Sequence, residues 1–162
     1  MDENKLHRIE WIERGGQENL RFRLQNAETL AREAQQTLTV LLAGMGAALA
    51  YVVRGMESGA MTAIGAGVAA LTFWLMLAAG TLVVKCVLSR DLQVPGNEPD
   101  NLWQEGWSHE KERIGELKSL QTRIVLTCTR NQAVSAWLDR VRLMAVASPA
   151  VFLLSALAWA AL

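Results

Sequence analysis

The sequence predicts an all-α membrane protein with three transmembrane helices, a cytoplasmic helical N-terminal arm and a cytoplasmic helical segment before the last span. Three observations lead there. Apolar spans at Thr37–Val53, Gly59–Val84 and Leu143–Leu162 are separated by charged segments, and the second runs for 26 residues without Asp, Glu, Lys, Arg or His. About 20 apolar residues suffice for a helix to cross a hydrocarbon core of roughly 30 Å. Lipid offers peptide groups no hydrogen-bond partner, so such spans must pair their own backbone as helices. Barrel strands need only about 9–11 residues and alternate in polarity, and nothing in this chain alternates in that way.

The 16 basic and 16 acidic residues cancel overall, but they lie almost wholly in Met1–Gln36 and Lys85–Arg142, with Arg54 and Glu57 the exceptions. The chain therefore divides into a charged arm (1–36), a transmembrane hairpin (37–84), a linker and basic helix (85–142) and a third span (143–162). All Lys and Arg except Arg54 flank the spans on a single side. The positive-inside rule assigns that side, with Met1–Gln36 and Lys85–Arg142, to the cytoplasm, and Arg54–Ser58 with the C-terminus to the outside. The polar first 36 residues do not read as a cleavable signal peptide.

Each element has a local reason. Asp2 can cap a short helix to Arg14 that carries Leu6, Ile9 and Ile12 on one face. Gly15-Gly16 is expected to interrupt it as a hinge, because adjacent glycines are costly inside a helix. From Gln17, Leu20, Leu24, Ala27, Ala31, Ala34 and Leu38 keep spacings of three and four, a packing stripe of mostly small residues. Without Pro or Gly before the first span, this helix should run straight into the membrane. Gly44/Ala48 and Gly65/Ala69 have the small-xxx-small spacing that lets membrane helices approach closely. That spacing serves an intramolecular hairpin or self-association equally.

Pro95, Gly96 and Pro99 make the acidic stretch after Asp91 begin as a loop. Asp100 or Asn101 can then cap a helix bearing Trp103 and Trp107 at i,i+4. Lys111–Arg142 reads as a long helix with seven basic residues against three acidic ones. Its packing face would come from Ile114, Leu117, Ile124, Cys128 and Trp137. It continues into the last span, where Pro149 is expected to kink it.

No catalytic constellation is visible: there is no Walker loop, GxSxG elbow, HExxH or CxxC pair. Cys86 and Cys128 are far apart in sequence, and His7 and His109 are isolated, so neither a disulfide, a metal site nor a cofactor is expected. The chain reads as a non-enzyme. On the basic helix, Arg113, Lys118, Arg123 and Arg130 have the chemistry to bind phosphates, and Trp103, Trp107 or Trp137 to stack on bases. The same cations also suit attraction to anionic lipid, and the same tryptophans suit anchoring at the interface. The spans hold no ionisable group for a proton relay. A conduit would have to be lined by Thr62, Thr72, Thr81, Ser148, Ser155 and small residues in a symmetric oligomer.

The separable helix Asp2–Arg14, the hinge Gly15-Gly16, the Gly/Ala-rich hairpin and the basic segment Lys111–Arg130 together give a layout that resembles the small membrane effectors of nucleotide-signalled bacterial antiphage systems. Among these it is most similar to the Hailong-type channel effector. The resemblance implies a multi-pass protein of the bacterial inner membrane, a homo-oligomer favoured as a tetramer, and an oligonucleotide signal made by a partner nucleotidyltransferase. It implies an ion channel or pore gated by that ligand, with Arg113, Lys118, Arg123, Arg130, Trp103 and Trp107 toward the ligand and Gly15 and Gly16 as the moving joint. Gly44, Ala48, Thr62, Gly65 and Ala69 would pack or line the spans. Two other readings stay open, a superinfection-exclusion or other membrane interaction protein and a holin-like lysis protein. The third span and the large charged fraction fit an effector better than a minimal holin.

Overall fold

The computed structural model describes residues 3–57, 62–88, 106 and 108–162, and every regular element among them is helical. Helix α1 is Glu3–Glu57, α2 is Ala63–Leu82, and α3 is His109–Ala160. Each contains a stretch long and apolar enough to cross a membrane. The Asp2 cap, the loop at Pro95–Pro99, the Asp100 or Asn101 cap, Trp103 and Trp107 lie outside the described residues.

One expectation is corrected at once. Gly15-Gly16 does not interrupt the arm, because α1 is helical through both residues. Each glycine costs a helix about 1 kcal/mol relative to Ala, and a long helix with good formers on both sides carries that. Gly16 also has a packing reason: a Cβ there would lie 2.6 Å from Leu120 Cδ2. It is a close-approach position rather than a break.

Helix α2 starts at Thr62, whose extended backbone and side-chain oxygen accepting from the Gly65 N–H (3.1 Å) form an N-cap. It ends in a widened turn, Val83–Val87, closed by the Leu88 N–H donating five residues back to Val83 O at 2.8 Å. Ser108 opens α3: its carbonyl accepts from the Glu112 N–H (3.0 Å) and its hydroxyl lies 3.4 Å from the Lys111 N–H.

The chain divides into two compact units, Met1–Leu30 with Ser89–Ala133 and Ala31–Leu88 with Val134–Leu162. In the first unit α1 and α3 run parallel, since Glu13 meets Arg113, Gly16 meets Leu120 and Arg23 meets Asn131. Leu20 packs with Leu120, Ile124 and Leu24. The buried positions of α3 here are Leu120, Arg123, Ile124, Thr127 and Asn131. Apart from Arg123 they recur every four and three residues, the 3.5-residue period of a coiled-coil seam. Of the expected α1 stripe, Leu20, Ala27 and Ala34 are buried and Leu24 and Leu38 half-buried, whereas Ala31 is exposed. On α3 the expected packing face is corrected: Ile124 is buried, but Ile114 is exposed, and Leu120, Thr127 and Asn131 complete the seam.

In the second unit α1 buries Ala34, Leu41 and Ala48, and α3 buries Val134, Leu138 and Val141. Arg142 donates to Glu33 at 2.8 Å. Helix α2 runs antiparallel to α3. The Trp74 indole N–H donates to Met144 O (2.8 Å), and at Gly67 a Cβ would stand 2.9 Å from the Phe152 carbonyl oxygen. The outer faces are apolar: Val40, Phe73, Leu143, Val146, Leu154 and Leu157 are all more than half exposed. Such a surface is stable against hydrocarbon and costly against water.

Pro149 lies inside α3 and has no N–H for the carbonyl of Ala145, four residues earlier. The Ser148 hydroxyl donates to that same carbonyl. A backbone acceptor freed by proline is thus satisfied by the neighbouring side chain, as a lipid environment requires.

Two outcomes follow from these contacts. Gly67→Ala should destabilise the detergent-solubilised protein by about 1–3 kcal/mol through overpacking against a backbone atom that cannot swing aside. Gly46→Ala, with open space at its Cβ, should change thermal unfolding little; equal melting of the two variants would contradict the contact. Ser148→Ala should cost about 1 kcal/mol or more by stranding the Ala145 carbonyl. The same change in a Pro149→Ala background should cost much less, because the restored N–H takes over; a full cost there would refute the pairing.

Candidate functional site

The four cations proposed for phosphate all lie on α3, but they do not gather into one cradle. At about 100° per residue, Lys118 is turned about 120–140° away from Arg123 and Arg130. Arg123 and Arg130 are seven residues apart and follow Glu116 at the same interval. They occupy the position flanking the seam, where coiled coils place charges that reach toward the partner helix.

Arg113 is held by α1. Its guanidinium donates to Glu13 at 2.6 Å and lies 3.6 Å from Glu10. The Glu13 hydrogen bond, with the nearby carboxylate charges, holds its pKa above the ordinary arginine value, so it stays cationic at any working pH. Arg123 is buried and donates to Glu116 at 2.5 Å, and its carbonyl accepts from the Thr127 hydroxyl at 2.8 Å. A phosphate competing for either arginine must displace a carboxylate. Lys118 is exposed. Arg130 is half-buried, and its Nε is enclosed without an acceptor among the described residues.

Beside Arg130, Asn131 lies within the seam. Its amide N–H donates to Arg23 O on α1 at 2.8 Å, while its Oδ1 is buried without a donor. A polar side chain at a seam position fixes register at a cost in stability. The pattern Leu120, Ile124, Thr127, Asn131 was available in the sequence, but the two polar members hide it from a search for apolar residues.

The remaining proposed residues fall as follows. Gly15 faces open space, whereas Gly16 packs on Leu120. A Cβ added at Gly44 would make ordinary contact with Leu75 Cδ1 (3.6 Å), and Ala48 is buried. Thr62 caps α2 and receives the Gly65 N–H, and Ala69 is half-buried. Thr72 is buried with its hydroxyl on Val68 O at 2.8 Å. These hydroxyls serve the helix backbone first. Trp103 and Trp107 lie outside the described residues, as noted above.

Sequence reasoning missed an open groove on α1 lined by Gly15, Glu18, Asn19, Phe22, Arg23 and Asn26. The Arg23 Nε–H donates to Asn19 Oδ1 at 2.8 Å, and Phe22 is 70% exposed. An exposed aromatic ring every third or fourth residue from amide side chains is its only signal in the sequence. Among the described residues no cluster of His, Cys, Asp and Glu could hold a metal ion. Comparisons with protein-family models, curated proteins and solved structures give no match.

Asn131→Leu should raise the thermal stability of the purified protein, since it removes a buried acceptor without a donor and fills the seam with apolar volume. A loss of more than about 1 kcal/mol would instead show that the amide hydrogen bond outweighs that burial.

Proposed function

We propose that this protein is an oligomeric inner-membrane effector, in which a negatively charged nucleotide or oligonucleotide acting on the charged helices controls a conduit through the spans. The observation that carries this reading is continuity. Helices α1 and α3 each contain a charged, water-seeking portion and an apolar span in one uninterrupted helix. Helix rotation or translation at the charged end reaches the span without a loop to absorb it.

Assembly is supported by apolar side chains left uncovered outside the spans. Trp11 is 75% exposed, and Val125 and Leu126 are each about half exposed. Exposed apolar area of this kind in water is characteristic of surfaces that meet a partner, and a second copy is the partner closed symmetry supplies. The layout also resembles the Hailong-type effector, where a ligand acts on a tetramer with N-terminal helices at the gate.

Ligand contact falls to Lys118 and Arg130 before the carboxylate-bound Arg113 and Arg123. Gating falls to the arm as a whole rather than to a bend at Gly15-Gly16, because Glu10 and Glu13 tie it to Arg113. Ligand can hold a conduit closed only by binding the closed state more tightly than the open one.

The test is flux from liposomes carrying the full chain, paired with native mass spectrometry of the detergent-purified protein. A discrete oligomer carrying an oligonucleotide, and ion flux that changes when the nucleotide is removed, are expected. Lys118→Gln with Arg130→Gln should weaken nucleotide retention roughly tenfold or more while the oligomer persists. Deletion of Met1–Gly16 should alter flux without dissolving the oligomer. A nucleotide-free monomer without flux would overturn the proposal and favour a partner-binding membrane protein.

A further inference from the structure

Beside the spans, one ring draws two cations. Lys85 Nζ lies 5.2 Å and the Arg140 guanidinium carbon 4.6 Å from the centroid of Trp137. Each distance is within the range at which an aromatic quadrupole attracts a cation. The ring offers electron density but no charge, so it neutralises neither cation. Among the described residues, Glu33 accepts from a third cation, Arg142, at 2.8 Å, and Asp139 lies 3.8 Å from it. Among the described residues no carboxylate forms an ion pair with Lys85 or Arg140.

The position of this trio identifies what would neutralise it. Lys85 follows Leu82, the last residue of α2, in the widened turn that ends the second apolar stretch. Arg140 stands three residues before Leu143, where the apolar span of α3 begins. Val84, next to Lys85, and Leu143, three residues after Arg140, are exposed apolar side chains, 53% and 68% accessible. Cations and an indole at the ends of apolar stretches, with exposed aliphatic side chains close in sequence, match a molecule with an anionic head and an acyl tail. Tryptophan and basic residues are also the side chains that settle at the headgroup level of a bilayer.

We propose that Lys85, Trp137 and Arg140 form a binding site for the phosphate of an anionic phospholipid headgroup. The ring positions the two cations, and the phosphate oxygens accept from the Lys85 ammonium and the Arg140 guanidinium. The site is independent of the nucleotide reading, since it uses neither Lys118 nor Arg130 and requires no conduit. A soluble phosphate has the same head chemistry but no use for Val84 and Leu143, so the lipid is the occupant the surroundings favour.

The experiment is native mass spectrometry of the full chain in detergent with phosphatidylglycerol or phosphatidylcholine added, and a parallel arm with inorganic pyrophosphate. Wild type should retain phosphatidylglycerol in preference to phosphatidylcholine, and millimolar pyrophosphate should fail to displace it. Lys85→Gln with Arg140→Gln should lower that preference at least about tenfold. The charge-conserving Lys85→Arg with Arg140→Lys should keep it, which separates lost charge from lost folding. Arg21→Gln with Arg32→Gln, both exposed on α1, should leave it unchanged. An undiminished preference in the Lys85→Gln, Arg140→Gln variant overturns the site. Displacement of phosphatidylglycerol by pyrophosphate overturns the lipid assignment and gives the phosphate site to a soluble ligand.

Discussion

The structure depends on one constraint: in hydrocarbon, a backbone amide or carbonyl without a partner costs several kcal/mol. It explains why the apolar stretches are helical throughout, and why the exceptions come with a remedy. Pro149 removes one donor from α3, and the Ser148 hydroxyl takes the carbonyl it leaves. Thr72 returns its hydroxyl to Val68 O rather than to a neighbour. Thr62 supplies the oxygen that receives an unpaired N–H at the start of α2. The Trp74 indole spends its N–H on Met144 O, so the one polar atom of a large ring is satisfied within the protein.

Once helices are fixed, packing decides which faces meet. In each unit the buried residues of α1 and α3 recur at the coiled-coil interval, and α1 contributes alanine at Ala27, Ala34 and Ala48. Small side chains bring axes close together, which strengthens dispersion contacts in lipid, where the hydrophobic effect no longer drives association. In the charged unit the seam instead carries Thr127 and Asn131, with Arg123 buried beside it. Polar atoms in that seam cost stability, and Asn131 reaching across to Arg23 O makes the register specific. Carboxylates of α1 and of α3 itself then consume Arg113 and Arg123, leaving fewer cations for any outside anion than their number suggests.

The three apolar helices and most of the Leu20-to-Leu38 stripe, though not the exposed Ala31, were legible in the sequence because both rest on local hydropathy and spacing. The α3 seam was only half legible, since Thr127 and Asn131 look like surface residues until the helix facing them is known. The close packing at Gly16 was not legible for a related reason. Two glycines suggest a hinge, but the close approach of Leu120 is a contact across about a hundred residues. Gly67 against Phe152 and Lys85 over Trp137 likewise arise from residues far apart in the chain. Charge counting alone did not reveal the pairing of Arg113 with Glu10 and Glu13 or of Arg123 with Glu116.

The central claim is that three helices cross a bilayer, which puts the N-terminal arm and the end of α3 on opposite faces. With Cys86 and Cys128 replaced by Ser, single cysteines at Glu18 and at Leu162 can be labelled by a membrane-impermeant maleimide in intact cells and again after lysis. The account predicts that Leu162→Cys labels in intact cells, while Glu18→Cys labels only after lysis. Labelling of both positions from the same side would contradict a three-span topology.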